Sequence, residues 1–207
     1  MRARSGPFAD TSARRYWAGV GVYVVVLLTI QSVMGFGIDK FKELWGEGAL
    51  EVVAYAFVAA GASGMVWTGW RVWSRCSVAE RVWIGIGVLV YGAGTLSARY
   101  PQERLHYLGY GLLAALLYFG FARDREARLG ASHLPRGAES SAADTGTAWL
   151  PAAMTLLAGS LIGYGDELLQ ILWPRRYFDW ADVAMNVAAV GLGVLVAIPV
   201  WRALKRS

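Results

Sequence analysis

WLPAAMTLLAGSLIGYGDELLQILW, from Trp149 to Trp173, is an apolar segment that holds two adjacent carboxylates, Asp166 and Glu167. As a helix rising about 1.5 Å per residue it is long enough to cross the ~30 Å hydrocarbon core of a bilayer. Ionisable groups at such depth are costly unless paired or hydrated. The segment therefore predicts a membrane helix and a polar partner for its carboxylates.

Five further runs extend the pattern: Tyr16 to Met34, Ala49 to Trp70, Val82 to Ala98, Leu105 to Ala122 and Val183 to Trp201. Of the 207 residues, 56% are hydrophobic and only 17% charged, well below the charged quarter of a soluble domain. The expected fold is all-α: a polytopic membrane helix bundle with six transmembrane helices. Arg2, Arg4, Arg14 and Arg15 before the first run resemble the lead of a signal peptide. The run is of spanning length, however, and no A-x-A site follows it, so it reads as an uncleaved first helix. The polar stretch Arg123 to Thr147, with Pro135, Gly137 and Glu139-Ser140-Ser141, reads as one long mobile loop.

Fourteen of the twenty Lys and Arg residues fall in alternate flanks, around residues 2–15, 71–81, 123–136 and 202–206. The positive-inside rule then places both termini in the cytoplasm. Trp17, Trp67, Trp70, Trp73, Trp83, Trp149 and Trp201 fall near the inner boundary, and Trp45, Trp173 and Trp180 near the outer one, as aromatic belts require. Basic residues distributed as topology signals give the net charge of +5 without implying a nucleic-acid partner. Cys76 is the only cysteine, which rules out an intramolecular disulfide and paired zinc-ligand cysteines; no cofactor or metal is expected. The glycines Gly85, Gly87, Gly92 and Gly94 of the third run have no P-loop lysine beside them and read as packing surfaces.

The unusual polar residues gather at the outer ends of the last three spans. His106 and Tyr110 are four apart on the fourth. Asp166, Glu167 and Gln170 share one side of the fifth, and Asp182 and Asn186 are four apart on the sixth. Continuing the last stripe brings Ala189 and Gly193 onto the same face, small residues that let helices approach closely. Pro174 stops the fifth helix, and Arg175 and Arg176 fall near its carbonyl end, where positive charge is favourable.

The order His106-x3-Tyr110, Asp166-Glu167-x2-Gln170-x3-Pro174-x-Arg176, Asp182-x3-Asn186 with Gly193 downstream resembles the VanZ-like membrane proteins, over roughly Val82 to Pro199. Glu103 stands where the family often has a lysine, and Ala189 where it usually has a glycine. The resemblance implies a VanZ-like four-helix core at 81–207, a cell-envelope setting, and an N-terminal extension with two transmembrane helices at 1–80. It implies no established reaction.

Function then rests on the site. His106, Asp166 and Glu167 are the catalytic candidates. The adjacent carboxylates could exchange a proton with His106 or hold a cation; alternatively they pair with Arg175, Arg176 or His106 and only fix how helices meet. His106 is a general base or a metal ligand, or an interfacial histidine bonded to Asp166. Tyr110, Gln170, Arg176, Asp182 and Asn186 are the ligand-binding candidates: Arg176 for an anionic group, the amides for hydroxyls. Two functions follow. One is an outward-facing polar site that binds or acts on an amphiphilic cell-envelope component, with membrane lipids as partners. The other is a small accessory subunit of a larger membrane complex, with partner subunits docked on it and the polar cluster as helix glue. A transporter ranks third, since there is no inverted repeat.

Overall fold

The computed structural model describes residues 11–97, 101–131, 142–172 and 177–206. They form six helices and no strand: α1 (Thr11–Trp45), α2 (Glu47–Trp73), α3 (Val78–Ser97), α4 (Pro101–Ala131), α5 (Ala142–Gln170) and α6 (Trp180–Leu204). Each apolar run of the sequence falls mainly on its own helix, with the fifth helix ending at Gln170, before Ile171 and Leu172. Among the described residues, Thr11–Gln31, Glu103–Leu129 and Trp180–Leu204 are long and apolar enough to cross a membrane.

Two helices outrun their apolar segments. α1 continues past Met34 to Trp45 and breaks only at Gly46, whose φ of 81° and ψ of 163° suit glycine almost alone. The expected long loop between the fourth and fifth runs shrinks, because α4 continues through Arg123 to Ala131 and α5 begins at Ala142. Arg123–Ala131 is polar but contains no helix breaker before Gly130, so the backbone simply carries on. Residues 132–141, including Pro135, Gly137 and Glu139 to Ser141, lie outside the described residues.

α4 and α6 form the centre, with α5 packed on both, α3 on α6, and α1 and α2 on α4. Tyr110, Leu113, Ala114, Leu117, Tyr118 and Ala122 recur at three- and four-residue steps and bury one face of α4. Small residues set the distance between the helices. A Cβ on Gly193 of α6 would lie 2.7 Å from the Gly111 carbonyl oxygen of α4 and 2.7 Å from the Ala114 methyl. A Cβ on Gly159 of α5 would strike Val190 at 2.8 Å. Such contacts suit association in lipid, where close packing rather than water exclusion holds helices together. Of the four glycines of α3, Gly87 abuts Val196 and Gly94 abuts Tyr107, while Gly85 and Gly92 face open space.

The outside of the bundle is apolar: Val22, Val26 and Ile30 on α1, Val82, Ile86 and Leu89 on α3, and Leu157, Leu161 and Leu168 on α5 are all exposed. So much exposed apolar surface on several helices is what lipid contact requires.

Contacts between helix ends fix which segments share an end of the bundle. Arg123 Nη2 donates to Ser12 Oγ (2.6 Å), Trp17 Nε1 to Asp124 Oδ2 (2.9 Å), and Lys205 pairs with Glu126 (2.7 Å). Arg206 grips Glu80 through two nitrogens, at 2.5 and 2.9 Å. The start of α1, the α2–α3 turn and the ends of α4 and α6 thus sit together. These are the four basic-rich segments of the sequence.

Candidate functional site

The opposite end of the bundle carries the polar residues. α4 descends from that end and α5 ascends to it, which brings Tyr110 level with Asp166: the phenol donates to Asp166 Oδ2 at 3.0 Å. One residue on, Glu167 accepts from Gln170 Nε2 at 2.6 Å, within the same helix. The second oxygen of Glu167 accepts from the backbone N–H of Asp179 at 3.4 Å, just ahead of α6. Asp179 also caps α6, its carboxylate accepting from the N–H of Ala181 at 2.7 Å.

His106, one turn before Tyr110, meets α6 rather than α5: its Nδ1 lies 3.2 Å from Asn186 Oδ1. The imidazole and phenol rings stack at 6.2 Å, and Tyr110 donates to Asp166, the residue expected to bond His106. Asn186 Nδ2 donates to the Gly163 carbonyl at 3.4 Å. Gly163 makes this junction possible, since a Cβ there would lie 2.8 Å from the Asn186 Cβ and 3.4 Å from the Tyr110 ring.

Tyr110, Asp166, Glu167 and Asn186 have no accessible surface, and His106 and Gln170 are buried with them. The structure therefore joins six of the eight residues singled out in the sequence into one buried cluster shared by α4, α5 and α6. Asp182 is half-buried one turn before Asn186 on α6. Arg176, with Pro174 and Arg175, lies outside the described residues.

The cluster mixes acceptors with neutral donors. Its carboxylates receive hydrogen bonds from a phenol, an amide and a backbone N–H, so their oxygens are partly satisfied without water. The imidazole stacks on the Tyr110 ring, and the Tyr110 hydroxyl in turn donates to Asp166. Among the described residues, no three His, Cys, Asp or Glu side chains come together as a metal site would require.

Beside the cluster, Tyr164, Phe178 and Trp180 touch edge to face and at a tilt, with ring centroids 4.9 to 6.3 Å apart. Trp180 and Tyr164 are exposed, as an interfacial aromatic group would be.

Two polar residues, one at the site and one on α1, escaped the sequence reading. Asp179 was legible as an N-cap, an aspartate just ahead of an apolar helix, yet its backbone contact to Glu167 depends on how the chain folds back. Gln31 of α1 is only 2% exposed, a polar side chain buried in a helix that the motif reading left without a role. Its signal was present as a lone amide on the face that carries Tyr23 and Leu27, four residues apart.

Comparison with family models, with curated proteins and with solved structures returned no match.

Proposed function

We propose that this chain is an integral membrane protein whose cluster of His106, Tyr110, Asp166, Glu167, Gln170 and Asn186 serves an amphiphilic component of the cell envelope. The observation that carries the reading is the complete burial of two adjacent carboxylates in a helix with an apolar exterior. Adhesion between helices alone is met more cheaply by apolar packing, because a buried charge costs more than its pairing returns. In this reading all six helices span the inner membrane, both termini are cytoplasmic, and the cluster lies at the depth of the outer headgroups. Residues 81–207 form a VanZ-like core and residues 1–80 an extension with two spans. Asp166 or Glu167 exchanges a proton with His106, Arg176 holds an anionic group, and Gln170, Asp182 and Asn186 orient the ligand.

The test is a thermal-shift titration of the purified protein with lipid extracted from its host membrane. Wild type is expected to gain stability with added lipid. His106→Ala, Asp166→Asn and Glu167→Gln are each expected to fold and to lose most of that gain. Equal gains in all four proteins would remove the reading.

A second reading has an observation of its own. All six polar residues hydrogen-bond to groups on neighbouring turns or helices, as helix glue would, in a small subunit of a larger membrane complex. Extraction in mild detergent separates the two readings: a free monomer under every condition speaks against the subunit, and a stable larger assembly supports it.

A further inference from the structure

At the basic end of the bundle, α4 carries Asp124, Arg125 and Glu126 in succession. Both acids are engaged: Asp124 accepts from the Trp17 indole of α1, and Glu126 accepts from the Trp201 indole of α6 and pairs with Lys205. Consecutive residues of a helix do not face one another, so the arginine between them points elsewhere. It continues the stripe of Ala114, Tyr118 and Ala122, three residues beyond the last, and those three are buried in the core. Arg125 is therefore partly buried, and its Nη1 is shut off from solvent with no hydrogen-bond partner among the described residues. A guanidinium cannot shed its charge, and a buried donor on a charged group is costly to leave unmet.

Its position in the bundle narrows what would meet it. The two indoles held on either side of Arg125 mark a water–lipid boundary in a spanning bundle, and lipid phosphates lie at that depth. Counting from the Tyr110–Asp166 contact, fifteen residues along α4 reach Arg125, and fifteen back along antiparallel α5 reach Pro151, each about 22 Å along the axis at 1.5 Å per residue. At that level and towards the middle of the bundle, Leu150, Met154 and Leu157 of α5 are exposed, apolar surface on which acyl chains can lie. Arg128, three residues beyond Arg125 and on the same face, is exposed and adds a second positive charge.

We propose that Arg125 anchors the phosphate of a membrane phospholipid at the basic end of the bundle. This site is separate from the polar cluster and does not depend on what that cluster does. The planar fork of a guanidinium matches two phosphate oxygens, which a point charge does not. A lipid is favoured over a soluble phosphate because the apolar surface of α5 runs on from the same level.

The experiment measures binding to the purified full chain in an uncharged detergent, with wild type beside Arg125→Leu and Arg15→Gln. The probes are a short-chain phosphatidylglycerol, a diacylglycerol of the same chain length, which has no phosphate, and inorganic phosphate. Wild type is expected to bind phosphatidylglycerol at least about tenfold more tightly than either of the others, and Arg125→Leu to bind it about ten- to a hundredfold more weakly, the value of a charge-assisted hydrogen bond. Arg15→Gln removes an exposed cation from the same end and is expected to change binding by less than about twofold. Without lipid, Arg125→Leu should melt no lower than wild type, since the charge it removes is partly buried and unmet. Unchanged affinity in Arg125→Leu, or no binding to wild type, overturns the proposal. An equal loss in Arg15→Gln reduces the site to diffuse attraction and overturns it as well. Inorganic phosphate that binds as tightly as the lipid points to a soluble ligand, and diacylglycerol that does so points to the tails alone; either result overturns it. An Arg125→Leu protein that melts markedly lower than wild type assigns the arginine to the fold, with the same consequence.

Discussion

Tyr110 shows how much one side chain carries in this cluster. Its hydroxyl is the described donor to a carboxylate with no accessible surface, and its ring stacks on His106. Tyr110→Phe keeps the ring and removes the donor, and is expected to lower stability by about 1–3 kcal/mol, the cost of stripping a hydrogen bond from a buried charged or polar group. Denaturant titration in detergent checks it, and a change under 0.3 kcal/mol would show that Asp166 is served without the phenol. Gly193 makes the complementary case. Because a Cβ there would meet a backbone oxygen at 2.7 Å, Gly193→Ala is expected to cost about 1–3 kcal/mol, as overpacking does, despite the better helix propensity of alanine. The residues of the cluster were legible because carboxylates and amides are rare in apolar runs and their three- and four-residue spacings survive folding. The pairing was not. Whether His106 meets Asp166 or Asn186 depends on helix rotation, which Gly163 and Gly193 set through contacts between segments far apart in sequence.

Among the elements, the apolar runs were legible because a bilayer core demands spans of nearly uniform length, and each run falls mainly on a helix of its own. Their ends were not. Helix propensity carries α4 to Ala131 past the apolar limit at Ala122, and α1 to Trp45 past Met34. What stops α1 is Gly46, in a conformation strained for any other residue. Gly46→Ala is therefore expected to destabilise the α1–α2 junction by about 1–3 kcal/mol, read as a fall in unfolding free energy, whereas Gly48→Ala, two residues on inside α2 and with open space around it, should cost nothing. The start of α6 offers a second test. Asp179→Ala removes the cap and is expected to cost about 1 kcal/mol. Asp179→Asn, which caps equally well, should retain wild-type stability.

Across the whole molecule, two ends with different chemistry define the design. At the end that gathers the basic segments, Ser77 and Glu80 form a reciprocal cap on α3, and Arg206 from the end of α6 closes over Glu80 in a forked contact. The Arg206 hydrogen bonds hold the Glu80 carboxyl below its ordinary value of 4.5, with the Ser77 bonds adding to them against the opposing effect of burial. A pKa lower in the folded state means that the contact stabilises fully above pH 4.5 and is lost as pH falls through the depressed value. Wild type should thus lose stability on acidification below that point more steeply than Arg206→Gln; parallel profiles would show that the latch contributes nothing. At the other end, buried carboxylates and amides are enclosed by α4, α5 and α6, and the account turns on whether they serve a ligand. The most direct measurement is native mass spectrometry of the protein released from mild detergent, wild type beside Glu167→Gln, which keeps the shape and removes the charge. The account predicts one retained amphiphile on wild type and its loss from a folded Glu167→Gln. Equal retention by both, or a bare wild type that is stable alone, would contradict it.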